Sequence, residues 1–205
     1  DIVFQNTATG QIVIWFLNGS AFVGGGALSL VPSTGYKVVG TGDLNSDGHR
    51  DLVFEDTATG KIAVWYMNGL NVLGSAPLTN LPTSPDPNNQ VVGVSDVNWD
   101  GTPDLIFQNL STRVISFWTL QGTRVIGSST FAYVPASGYS VVGVGDFNAD
   151  GKTDLLFQNS TTGQLVYWLL DGTSLMGAAA VSAYVSSGWH VAGIRSFDSS
   201  IIRVQ

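Results

Sequence analysis

The 205-residue sequence predicts an all-β fold assembled from a repeated unit, and three observations carry that reading. A nine-residue skeleton, D-x-N-x-D-G-x-x-D, occurs at 43–51, 96–104 and 146–154. Each copy runs straight into the same apolar phrase, D-L-V-F-E-D at 51, D-L-I-F-Q-N at 104 and D-L-L-F-Q-N at 154, and the chain opens on a fourth, D-I-V-F-Q-N. No helical period appears anywhere, whereas short apolar runs alternate with Gly- and Asn-rich turns throughout.

The phrase recurs at spacings of 50, 53 and 50 residues, with the extra three in the Pro-rich stretch after Pro82. Each period reads as four short strands. The first is the phrase itself, ending at a turn before Gln11, Lys61, Val114 and Gln164. The second carries one Trp at a fixed place, at 15, 65, 118 and 168, four residues before a Gly in N-G, N-G, Q-G and D-G. Such dipeptides between apolar runs signal a hairpin. The third has Gly24, Gly74, Gly127 and Gly177 in register, and the fourth leads into the acidic loop. Strands apolar on both faces must lie between two sheets. Small residues at 40, 42, 93, 95, 143 and 145 suit innermost strands whose backbones converge.

Four-stranded units of this length, repeated in series, predict a β-propeller. The expected blades are 1–35 with 188–205, 36–88, 89–138 and 139–187, as one domain. The last strand is expected to close the ring by pairing with the first blade, which removes exposed edges. The alternative is half of an eight-bladed ring made by two chains.

The acidic loops place oxygen side chains at positions 1, 3, 5 and 9, with Gly at 6 for the sharp bend and a backbone carbonyl available at 7. That pattern suits Ca²⁺ better than Mg²⁺, which demands an octahedron and keeps its waters. The expected ligands are Asp43, Asn45, Asp47, His49 and Asp51; Asp96, Asn98, Asp100, Thr102 and Asp104; and Asp146, Asn148, Asp150, Lys152 and Asp154, three ions per chain. A fourth loop, with Ser196, Asp198, Ser200 and Val204 at the matching places, is expected to bind none. Nine of the 15 acidic residues sit in the three loops, and three Ca²⁺ would bring the formal charge of −7 to −1.

Eight scattered Lys and Arg give no basic stripe for nucleic acid, and no apolar run has the length of a membrane span. The chain has no Cys, so disulfides and thiol chemistry are excluded. The amino terminus is not signal-like, so an exported protein is expected to have lost its signal already. Loops of three carboxylates fill at extracellular Ca²⁺, which points to an extracellular, periplasmic or cell-surface setting.

The run V-V-G-V-G-D-F-N-A-D-G-K-T-D-L-L-F-Q-N at 141–159 resembles the FG-GAP or VCBS repeat, the blade of integrin-α-like propellers, and the Trp strand with N-G is similar to its tryptophan-rich bacterial members. The resemblance covers the chain in four units. It implies a propeller with Ca²⁺ in its hairpin loops, used for binding or adhesion; such propellers usually have about seven blades, more than the four here.

An enzyme is not expected. Outside the loops the acids are Asp1, Glu55, Asp56, Asp86, Asp171 and Asp198, and the adjacent Glu55 and Asp56 point to opposite faces of a strand. His49 sits in a cation loop and His190 beside Trp189 at a strand start. Recognition of a glycan or protein is the expected role. Sugar C–H faces stack on aromatic rings, and Tyr36, Tyr139 and Trp189 precede the innermost strand, with Gln90 at that place in the odd unit, while Trp99 protrudes from a loop. The strand Trp residues are assigned to blade packing. A structural or homodimerising module is the other reading.

Overall fold

The computed structural model describes residues 1–182 and 188–191. The fold is all-β, four antiparallel blades of a β-propeller. Blade 1 holds β1 (Ile2–Gln5), β2 (Ile12–Asn18) and β3 (Ala21–Ala27). Blade 2 holds β4 (Tyr36–Gly42), β5 (Asp51–Asp56), β6 (Lys61–Asn68) and β7 (Asn71–Pro77). Blade 3 holds β8 (Asn89–Ser95), β9 (Asp104–Asn109), β10 (Ile115–Gln121) and β11 (Arg124–Thr130). Blade 4 holds β12 (Tyr139–Gly145), β13 (Asp154–Asn159), β14 (Leu165–Asp171) and β15 (Ser174–Ala180). Neighbours in sequence are neighbours in each sheet. The expected closing strand falls largely on 192–205, and the fourth loop wholly so, outside the described residues.

The chain divides into two compact units, 1–87 with 121–125, and 88–120 with 126–205. Each has its own core between successive blades. In the first, Ile12, Ile14 and Leu28 of blade 1 meet Leu52, Phe54 and Met67 of blade 2. In the second, Ile115, Phe117 and Phe131 meet Leu155, Phe157 and Leu170. The inner strands β8 and β12 approach closely, and a Cβ on Gly93 would overlap the Val144 side chain, which is why that position is Gly.

The register is the same in all four blades. Ile2 pairs with Trp15, Leu52 with Trp65, Leu105 with Trp118 and Leu155 with Trp168. Each Trp meets the Phe of the neighbouring strand, with ring centroids 4.9, 4.8, 4.6 and 4.7 Å apart. Tilted pairs at this distance are the favoured aromatic geometry. The four differ in exposure: Trp118 is buried, whereas Trp15, packed on Phe4 in the same way, is 44% exposed, as are Ile2 and Phe4 at similar fractions.

The hairpin turns also differ in detail from the Asn-Gly reading. Asn18, Asn68 and Asp171 are the last paired residues of their strands, and Gly19, Gly69 and Gly172 come first in two-residue loops at φ of 61°, 59° and 60°. Positive φ confined to the first central residue is the type II′ pattern, which matches strand twist and places Gly first. A bulge follows within one residue of each turn.

A glutamine in the repeated phrase ties one blade to the next inner strand. Gln108, buried, donates from Nε2 to Tyr139 O at 3.4 Å and accepts from Val141 N at 2.8 Å. Gln5 does the same with Tyr36 O and Val38 N, and Gln158 with Trp189 O and Val191 N, at the same sequence separations. Blade 2 has Glu55 at this place, 2% exposed.

One prediction follows from the clasp. Gln108→Ala is expected to cost about 2–4 kcal/mol in denaturant unfolding, since two backbone groups lose their partner on a buried side chain.

Candidate functional site: the acidic loops

The three loops share one conformation. Position 4 is left-handed in each, at φ of 58° for Ser46, 59° for Trp99 and 62° for Ala149, and the Gly at position 6 follows at 87°, 87° and 82°. In the first loop Asp43 accepts from Asp47 N at 3.1 Å and Gly48 N at 2.9 Å. Asp47 accepts from His49 N at 2.8 Å and from Asn45 Nδ2 at 2.9 Å. The same bonds recur at 96–102 and 146–152. These bonds favour the ionised carboxylate: Asp47 is held below the usual range, first by Asn45, and Asp100 likewise, first by the Thr102 hydroxyl.

The closing aspartates have a second employment that loop spacing did not reveal. Asp51, Asp104 and Asp154 are fully buried. One oxygen of each accepts from the backbone N–H of position 2, Leu44 at 3.0 Å, Val97 at 3.1 Å and Phe147 at 2.9 Å. The other accepts from a residue sixteen further on, Met67, Leu120 and Leu170, each at 2.9 Å. Asp1 makes the same bond to Leu17 N at 2.8 Å. Each carboxylate thus staples its loop to the end of the Trp strand. Burial pushes all three up, Asp104 to about 6, with the loop's other two aspartates adding a smaller push.

Oxygen donors alone, three of them carboxylates, are the right chemistry for a hard cation. As placed, they serve backbone amides, and among the described residues no group of three or more His, Cys, Asp or Glu stands together in a way that could hold a metal. Each carboxylate oxygen has a lone pair beyond its N–H bond.

The four aromatic candidates are divided between the two units. Tyr36 belongs to the first unit, while Trp99, Tyr139 and Trp189 belong to the second. Tyr36 and Tyr139 are half-buried against the cores, and Tyr139 donates its hydroxyl to Gln164 Oε1 at 2.8 Å. Trp189 is 69% exposed. Trp99 lies under Lys152, whose Nζ is 5.2 Å from the ring and 2.7 Å from Asp171 Oδ2. The structure therefore joins the second and third loops through a cation–π contact. The place of Tyr36 in the odd unit is held by Asn89 and not Gln90: Tyr36 pairs with Asp56, Tyr139 with Asn159 and Asn89 with Asn109. The three-residue insertion obscures that shift in the sequence. Sequence reasoning also missed the glutamine clasp, although Q recurs after F in three of the four phrases.

Asp104→Ala is expected to cost about 2–5 kcal/mol, because two buried N–H groups lose their acceptor. The loss should be equal with calcium and with chelator, and Asp104→Asn should recover part of it. A loss that appears only in calcium would make Asp104 a ligand and not a staple.

No curated protein matches the chain. Residues 43–107, from the first acidic loop through the phrase that follows the second, match the family model described as FG-GAP-like repeat. The same loop and phrase recur at 146–159, beyond the matched residues, so the similarity to that repeat extends to blade 4.

Proposed function

We propose that this propeller is a calcium-stabilised recognition module, acting by binding and not by turnover, with a glycan or a protein as ligand. The observation that carries the calcium reading is the threefold repetition of one loop conformation, with the same left-handed residues and the same oxygens turned inward. Ca²⁺ would take Asp43, Asn45, Asp47 and the carbonyl of His49, and the corresponding residues of the other two loops, while Asp51, Asp104 and Asp154 keep their backbone N–H partners. Its charge would offset the repulsion among three carboxylates held in nine residues. FG-GAP repeats are typical of extracellular and surface proteins, which supports an extracellular or periplasmic setting where the loops would be filled.

One observation favours the second reading, an oligomerising module. Ile2, Phe4 and Trp15 are exposed on blade 1, where Leu52, Phe54, Leu155 and Phe157 are buried in the equivalent blades. Phe22 extends the patch with its ring 5.5 Å from Trp15. Contiguous apolar surface of this kind marks an interaction face.

Thermal unfolding in calcium and in chelator tests the first reading. The melting temperature is expected to fall markedly on chelation, and calorimetry to count three ions per chain; an unchanged melting temperature would remove calcium from the account. Light scattering tests the second. A dimer that Trp15→Ser dissociates supports oligomerisation through blade 1, and a monomer at all concentrations rejects it.

A further inference from the structure

Two clefts in the molecule are built from the same residues 103 positions apart. The first is lined by Pro32, Tyr36, Phe54, Ala63 and Trp65, and the second by Pro135, Tyr139, Phe157, Val166 and Trp168. The two stretches that form their rims read V-P-S-T-G-Y and V-P-A-S-G-Y. One lies wholly in the first unit and the other wholly in the second. Their volumes are about 270 and 180 Å³, and Val166 in place of Ala63 accounts for part of the smaller space.

We propose that these clefts are a pair of equivalent binding sites for one ring of a neutral saccharide each, a reading that rests on the recognition role proposed above and names its ligand class and place. Three features select that ligand. No charged side chain lines either cleft, so an acidic or basic ligand would lose hydration with nothing to replace it. The partly exposed Tyr36 and Trp65 in the first cleft, and Tyr139 and Trp168 in the second, offer apolar ring surface to the C–H face of a pyranose, with the buried Phe54 and Phe157 holding each Trp from behind at 4.8 and 4.7 Å. The polar groups at the walls and rim are neutral hydroxyls and an amide: Ser33 and Ser75 in the first cleft, and Gln164, which already holds the Tyr139 hydroxyl, beside the second. A few neutral polar groups around an apolar floor fix orientation in small-ligand sites. An extended proline-rich segment is disfavoured, since its recognition uses successive aromatic slots along a groove and each cleft offers one.

The strand tryptophans Trp65 and Trp168 therefore serve two ends, packing against Phe and presenting a wall to the ligand. The larger first cleft is expected to accept an N-acetylated sugar that the second excludes.

The test is calorimetric titration of the whole chain with methyl α-glucopyranoside, methyl β-galactopyranoside and the methyl glycoside of N-acetylglucosamine. At least one neutral pyranoside is expected to bind at two sites per chain. Ala63→Leu should reduce the stoichiometry to one, and Ala63→Leu with Val166→Phe should abolish binding while the melting temperature in calcium stays close to that of the parent. Should Ala63→Leu fail to fold, Ala63→Val, which copies the other cleft, is expected to weaken the first site several-fold. Undiminished binding in the filled variants overturns the clefts while leaving glycan recognition standing, as does displacement of the sugar by a proline-rich peptide. Silence of every pyranoside and of a glycan array overturns both, and leaves the calcium dependence of stability to be judged separately.

Discussion

The interaction on which this structure depends is a buried aspartate that accepts two backbone N–H groups. Asp51, Asp104 and Asp154 each hold the second residue of their own loop and the end of the Trp strand, and Asp1 makes the strand half of the same contact. A buried carboxylate is costly unless its oxygens are occupied, and charge-assisted bonds to backbone amides are among the stronger ones a protein makes. The contact converts a sixteen-residue separation in sequence into a fixed corner of each blade. The loop conformation and the start of the hairpin turn follow from that corner.

Two further repeated contacts build outward from it. The Phe–Trp pair fixes the spacing of the first two strands within a blade, and the glutamine clasp carries register from one blade to the next inner strand. Side chains from successive blades then close each unit's core, Ile12, Ile14 and Leu28 against Leu52, Phe54 and Met67 in the first. Repeat proteins derive their stability from such nearest-neighbour terms, so an apolar blade face left exposed is conspicuous. The face of Ile2, Phe4 and Trp15 is one, and it carries the same residue types as the faces that are covered elsewhere.

Much of the fold was legible because periodicity reports structure directly. Strand order, the four blades, the turns and the close approach at Gly93 all follow from residues that recur at a fixed interval. What was not legible involved partners distant in sequence or displaced by an insertion. The loop pattern marks Asp104 as an oxygen donor, yet nothing in nine residues points to Leu120 N. The three residues inserted after Pro82 hid the equivalence of Asn89 with Tyr36. The Asn-Gly, Gln-Gly and Asp-Gly dipeptides marked the hairpins correctly, but which residue stands first in the turn depends on pairing that only the register shows. The exposure of Trp15 depends on what covers a face, and a sequence motif common to four blades cannot distinguish the one that differs. The clefts escaped notice because the tryptophans read as core and the tyrosines as rim, whereas the folded chain sets them side by side.

The central claim is that the carboxylates divide their work: the closing aspartates staple each blade, and the loop oxygens receive a cation. Native-state hydrogen exchange measured amide by amide, in calcium and in chelator, separates the two roles most directly. The account predicts that the amides of Met67, Leu120 and Leu170 exchange only with global unfolding in both conditions, while those of Gly48, Gly101 and Gly151 gain protection in calcium alone. Rapid exchange at the staple amides, or loop amides indifferent to calcium, would contradict it.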